Sequence, residues 1–247
     1  MSRVKHNAVH QFAAGINAAS NNNPASSLPF IHPTQQGWKV YYEPLSIGAT
    51  YADDAYWEIT AVTTGTLAPG ASNSMRLSAN TTTDNSGYNL RHDVASVQLG
   101  GATKKYYLET VVSLTNASGT QAANEWFVGW TNDEVAKASG GTAWDFEDGF
   151  GFGQLDTGTP VFVTNSSDSE QSIALNGALT SGTFKKYACY FDGTNYNLYE
   201  DDLLVSTTVA SPAPVADAPL GCQVDYKSGE AKTNFLEVKY VLLAVEL

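Results

Sequence analysis

Three carboxylates stand close together at Asp145, Glu147 and Asp148, in the run WDFEDGFGFGQLD from Trp144 to Asp156. On an extended chain alternate side chains share a face, so Asp145 and Glu147 would project together. A pair of carboxyl groups placed that way can flank a glycosidic bond as nucleophile and general acid. No third carboxylate follows at the step such a strand pattern requires, and Asp148-Gly149 has the composition of a turn. The run therefore predicts turn chemistry and solvated acids, not catalysis.

Other chemistries fare no better. No Ser-His-Asp or Cys-His set and no Gly-rich phosphate loop stands out. Of the four histidines, His6, His10, His32 and His92, the first two have the i, i+4 spacing of helical metal ligands, but no further ligand lies near them. Asp148, Asp192, Asn195, Asn197, Asp201 and Asp202 offer the oxygens that hard cations use, so Ca2+ is the cation they would suit, although their spacing matches no EF-hand loop. Trp57, Trp126, Trp130 and Trp144 could stack on sugars if exposed; in alternating strands such rings ordinarily belong to the core. No catalytic, metal or cofactor-binding residue is assigned.

The elements that must position these groups are short strands. The 247 residues are 43% hydrophobic and only 15% charged, with 21 Gly and 9 Pro, a composition that suits many strands separated by turns. A formal net charge of −12, from 13 basic and 25 acidic residues, lacks the phosphate-neutralising surface that nucleic-acid binding needs. No stretch reaches transmembrane length and no apolar signal core opens the chain, which predicts no membrane partner and a protein used without export. The sequons at Asn80, Asn116 and Asn165 then carry no glycan.

Alternation predicts strands at KVYYE after Trp38, YWEITAV from Tyr56, MRLSA from Met75, YYLETVVSL from Tyr106 and WFVGWT from Trp126. Leu108 and Val112 face inward, and Gly129 marks close packing against a facing sheet. ANTTTDNSGYN, Ala79 to Asn89, reads as a loop. Short strands follow around Val161 to Thr164 and Ile173 to Leu175. The most regular stretch is FKKYACYFDGTNYNLYEDDLLV, Phe184 to Val205, two strands meeting across Asp192-Gly193, with Tyr187, Cys189 and Phe191 on one face and Ala188 and Tyr190 on the other. Cys189 and Cys222 read as buried thiols. The terminal FLEVKYVLLAVEL has little polar relief after Tyr240, which places it buried on both faces or in the sheet centre.

The first 37 residues differ in kind. Val4, Ala8, Val9, Phe12, Ala13 and Ile16 recur at helical spacing, and Pro24, Pro29 and Pro33 then punctuate an extended arm. Two regions are expected: an arm at 1–37, with Val9, Phe12, Ile16, Phe30 and Ile31 as attachment residues, and a sandwich domain at 38–247.

The strands YYLETVVSL and WFVGW, the Asp148-Gly149-Phe150-Gly151-Phe152 turn-and-strand, the hairpin FKKYACYFDGTNYNLYEDD and the closing FLEVKYVLLAVEL together resemble the concanavalin A-like (laminin-G/legume-lectin-type) domains. The fold this implies is all-β, an antiparallel jelly-roll β-sandwich, here with an N-terminal helix and extended arm; members close with a strand near the N-terminal one. The Asp-Gly-aromatic-Gly-Phe segment followed by an Asp-Gly hairpin is similar to domains of tailed-phage structural proteins, capsid decoration proteins above all. That resemblance implies a non-enzymatic virion protein on the capsid surface, made in the host cytoplasm. Its partners would be the major capsid protein and other copies of itself, a trimer for example. The alternative it implies is a lectin-like carbohydrate-binding module on a phage fibre or cell-surface-binding protein, with a glycan as partner. One departure stands out: Asp201-Asp202 replaces the usual Asn-Gly turn, so either the turn is longer or the acids have a local task such as holding a cation.

Overall fold

The computed structural model describes residues 38–45, 57–79, 82, 85–92, 97–117, 123–132, 144–155, 158–167, 169–213 and 217–247. The expected arm at 1–37, with Val9, Phe12, Ile16, Phe30 and Ile31, lies outside the described residues. Among the described residues all regular structure is β, in fifteen strands forming two antiparallel sheets.

The strands run in chain order as β1 (Trp38–Pro44), β2 (Trp57–Val62), β3 (Thr66–Pro69), β4 (Met75–Ser78), β5 (Ser86–His92), β6 (Tyr106–Thr115), β7 (Asn124–Thr131) and β8 (Gly149–Gln154). They continue as β9 (Val161–Ser166), β10 (Ser169–Ala174), β11 (Lys185–Phe191), β12 (Asn195–Glu200), β13 (Leu203–Val209), β14 (Gly221–Ser228) and β15 (Phe235–Glu246). The eight-stranded sheet has the order β13-β12-β11-β6-β15-β4-β3, with β1 also paired to β15; the seven-stranded sheet has the order β10-β9-β8-β7-β14-β5-β2. The closing strand thus lies beside the first described one, with Trp38 opposite Glu246 and Tyr41 opposite Leu243.

The main core fills the space between the sheets. Alternation supplies it: Leu108 and Val112 of β6 and Tyr187, Cys189 and Phe191 of β11 meet Trp126, Val128 and Trp130 of β7 and Phe150 and Phe152 of β8. Rings interlock across the gap, Tyr106 stacking on Phe150 with centroids 4.3 Å apart and Phe152 on Tyr187 at 5.5 Å. Each such buried ring adds about 1.5–3 kcal/mol of apolar burial. Both cysteines are free and buried, Cys189 in one sheet and Cys222 in the other, and burial pushes both thiols well above their ordinary value. As expected, β15 is buried on both faces: Val241, Leu243 and Val245 join the main core, whereas Leu242 and Ala244 pack on the outside with Tyr107, Ala188, Tyr190 and Tyr199.

The turn at Asp201-Asp202 is two residues long. Both residues have positive φ, 47° and 69°, the backbone that a type I′ hairpin demands of its central pair. Both acids turn back onto Lys186 of β11. Asp201 accepts from the Lys186 backbone N–H at 3.0 Å, and Asp202 pairs with the Lys186 ammonium.

Three sequence readings change. The stretch read as a loop through Asn89 contains most of β5; the chain turns at Asn85 in the left-handed region, φ 57°, and pairs from Ser86 onward. The segment Gly221–Ser228, read only as a strand-like run about Cys222, is the full central strand β14, whose alternate residues are polar. Gly129 does not face the opposite sheet: a Cβ there would lie 2.3 Å from the Phe150 carbonyl oxygen and 2.7 Å from the Phe127 ring, on the sheet's outer face.

Candidate functional site

The outer face of the seven-stranded sheet carries a polar grid that strand register lays out. Trp126, Val128 and Trp130 of β7 and Cys222, Val224 and Tyr226 of β14 point into the core. Their alternates, Glu125, Phe127, Gly129 and Thr131 with Gln223, Asp225 and Lys227, therefore project outward. In the same way β5 presents Asn89 and Arg91, and β2 presents Glu58 and Thr60. Across the sheet Glu58 stands opposite Arg91 and Arg91 opposite Gln223; Thr60 stands opposite Asn89 and Asn89 opposite Asp225; Lys227 stands opposite Glu125.

The middle of this grid is buried although it lies outside the core. Gln223 is 0% exposed, Thr131 1%, Asp225 3%, Glu125 3% and Lys227 7%. A hydrogen-bonded chain runs through it: Thr131 Oγ1 donates to Gln223 Oε1 at 2.6 Å, and Gln223 Nε2 donates to Asp225 Oδ2 at 2.9 Å. Arg91 donates to the Asn132 carbonyl at 3.2 Å. Toward β2 the face opens: Asn89 and Arg91 are half-buried, Glu58 and Thr60 exposed. The opposite half is apolar. Gly129, Gly151 and Gly153 leave a shallow trough where a Cβ would strike the Phe127 or Trp144 ring. Trp144 and Phe146 pack at a tilt against Phe127, with ring centroids 5.7 and 5.4 Å away. Asn165 Nδ2 donates to the Phe146 carbonyl, and Glu170 accepts from the Trp144 N–H at 3.3 Å. Amides, carboxylates and a guanidinium beside a wall of rings are the groups that bind hydroxyl-rich, partly apolar molecules.

The residues singled out by sequence fall elsewhere. Asp145 and Glu147 share a face and are exposed, because the alternate residues Trp144 and Phe146 are turned onto the sheet. Asp148 is a turn clamp: its backbone N–H donates to Asn132 Oδ1 at 3.0 Å and its carboxylate accepts from the Ser167 N–H at 2.9 Å. Asp192 closes the β11–β12 hairpin by accepting from the backbones of Asn195 and Thr194 at 2.7 and 2.9 Å. Partial burial works to raise its pKa, but those bonds, with the Asn195 and Asn197 side chains, outweigh it and hold the carboxyl below its ordinary value. Of the four tryptophans singled out by sequence, Trp57, Trp126 and Trp130 are core residues and Trp144 is 5% exposed on the outer face, so none of the four is an open stacking platform. Among the described residues no group of three or more His, Cys, Asp or Glu is placed to hold a metal ion. His6, His10 and His32 lie outside the described residues, and His92 sits edge-on to Trp57 and 3.5 Å from Glu43.

No protein-family model matches this chain, and no curated protein matches it. Solved structures do. An endo-1,3-beta-glucanase from Streptomyces sioyaensis aligns with a TM-score of 0.59 at 11% identity, over 85% of this chain and 97% of the glucanase. The Emp47p carbohydrate recognition domain aligns at 0.57 and 14% identity, over 82% and 94% of the two chains. Peanut lectin aligns at 0.55 and 10% identity, over 84% and 97%. At these identities the likeness shows the fold alone: an antiparallel jelly-roll β-sandwich of concanavalin A-like architecture. The glucanase corrects the expectation of a non-enzymatic protein, which rested on the missing third carboxylate and on the phage resemblance: the same fold is that of an enzyme. That expectation looked for carboxylates along one strand, whereas Glu58, Asp225 and Glu125 reach one face from three strands. None of these three likenesses is to a phage capsid protein.

Proposed function

We propose that this chain is a carbohydrate-recognition domain that receives a glycan on the outer face of its seven-stranded sheet. The observation that carries the reading is the hydrogen-bonded chain Thr131–Gln223–Asp225, buried on that outer face beside Lys227 and Glu125. Burying charge there costs free energy that apolar side chains would avoid, so its presence on the outer face favours a binding role. Asn89, Arg91, Glu58 and Thr60 form the accessible border, with donors and acceptors for sugar hydroxyls, while the buried Phe127–Trp144–Phe146 cluster packs on the neighbouring part of the face. The likeness to a lectin, a carbohydrate recognition domain and a glucanase supports the same reading. The phage-decoration reading, with its attachment through residues 1–37 outside the described residues, draws no support from these likenesses, and we do not advance it.

Titration calorimetry with β-1,3-linked glucose oligosaccharides, followed by chromatography of the same mixtures, tests the proposal. Saturable binding weakened by Asp225→Asn supports it, and the chromatogram separates recognition alone from recognition followed by cleavage. Absence of heat with these and with mannose- and galactose-based oligosaccharides would overturn it.

A further inference from the structure

We propose a second ligand site, in the cleft between β1 and the segment Val97 to Lys104, that takes a small organic carboxylate with an apolar body. The cleft encloses about 500 Å³ and includes Lys39, Tyr41, Val97, Leu99, Lys104 and Val245 in its lining, a size within the range of small-molecule pockets. It is formed where β1 and the end of β15 meet the bridge between Val97 and Leu220, and it shares no residue with the polar grid of the other sheet.

Its chemistry selects the ligand. The chain holds 25 acidic residues against 13 basic ones, yet two lysines meet at this cleft. Lys39 is exposed, with its ammonium 4.7 Å from the centre of the Tyr41 ring. Lys104 donates to the Leu247 carbonyl oxygen at 2.6 Å, and an ammonium has three donors to direct. Val97, Leu99 and Val245 are 3%, 2% and 5% exposed and give an aliphatic floor. Glu246 is the one carboxylate side chain of the lining, which also includes Leu247; it accepts from the Lys105 N–H at 3.3 Å, and its charge disfavours a dianion. At the rim Gly100 has φ +74° with open space where a side chain would stand. A single negative charge is matched by the lysines and an apolar body by the floor.

Octanoate is the probe, with 1-octanol and inorganic phosphate as controls that carry only the apolar body or only the anion. Titration calorimetry should show saturable octanoate binding, weakened about tenfold by Lys39→Met, with both controls weaker than octanoate. Lys104→Met should weaken it as well, and urea unfolding of both variants checks that the fold is retained. No saturable octanoate binding, equal binding by folded Lys39→Met protein, or phosphate binding as tight as octanoate would overturn the proposal. Oligosaccharide binding by Lys39→Met protein should equal that of the parent chain, which keeps this test separate from that of the glycan face.

Discussion

Gln223 holds Asp225 from the same strand: its Nε2 donates to Asp225 Oδ2 at 2.9 Å while its Oε1 takes the Thr131 hydroxyl from the neighbouring strand at 2.6 Å. One fully buried amide thus fixes a carboxylate and ties β14 to β7 on the face assigned to glycan recognition. Gln223→Leu keeps the side chain's size and removes both bonds. A loss of about 1–3 kcal/mol in urea-unfolding free energy is expected, since the substitution leaves two buried polar groups without these partners. An unchanged unfolding midpoint would mean that the amide does not organise this face.

The Asp201-Asp202 turn keeps two L-residues at positive φ. Asp202→Gly removes a side chain from the residue at φ 69° and gives up an ion pair to Lys186 in which Asp202 is half exposed. Such exposed pairs contribute little. The variant should gain about 0.5–1 kcal/mol from relief of the left-handed backbone, read as a higher urea midpoint. A lower midpoint would assign the hairpin's stability to Lys186.

Burial is the first cause that raises the pKa of Tyr187, Tyr196, Tyr226 and Tyr240 well above 10.0 and moves Tyr199 to about 12. Glu109 acts second on Tyr240, whose hydroxyl donates to Glu109 Oε1 at 2.5 Å. A tyrosine whose pKa is higher folded than unfolded binds its proton more tightly in the native state. Its contribution is full below pH 10 and is lost as pH rises from there through the folded value. Unfolding free energy should therefore be insensitive to these residues near neutrality and fall steeply between pH 10 and about 12. Phenolate absorbance would rise together with loss of β circular dichroism. Smooth ionisation of all tyrosines near pH 10, with the fold intact, would contradict their burial.

The fold was largely legible because its information is local. Alternation in YYLETVVSL and in the 184–205 hairpin places inward and outward residues as the structure has them, and the hydrophobic run after Tyr240 marks the doubly buried strand. The candidate site was not legible, for two physical reasons. Its residues come from β2, β5, β7 and β14 and meet only through register, which no single stretch displays. In addition β5 begins with Ser86-Gly87 inside a turn-rich run, where a Cβ on Gly87 would lie 1.9 Å from the Tyr226 carbonyl oxygen; the glycine that signals a loop is there for close strand approach. The alternation Cys222-Gln223-Val224-Asp225-Tyr226-Lys227 was available as a signal for β14. The Asp145–Asp148 acids drew notice by proximity in sequence, yet Trp144 and Phe146 are the residues of that run that reach the face.

Seating those two rings depends on the absence of side chains beneath them. Gly153→Ala would place a Cβ 2.4 Å from Trp144 Cη2 and 2.6 Å from the Trp126 carbonyl oxygen. The ring must tilt away or the strands part, at a cost of about 1–3 kcal/mol. Lower thermal stability with a red-shifted tryptophan emission is expected; wild-type values of both would show that the trough does not set the position of Trp144.

The glycan face itself is tested most directly by a glycan array probed with the parent protein and with the double variant Asn89→Ala/Arg91→Met. These two half-buried side chains border the Gln223–Asp225 pair, opposite Asp225 and Gln223 in strand register. The parent protein is predicted to bind a defined subset of glycans, and the double variant, folded by circular dichroism, to bind the same subset at least about tenfold more weakly. A flat array for the parent protein, or equal binding by the variant, would contradict the assignment.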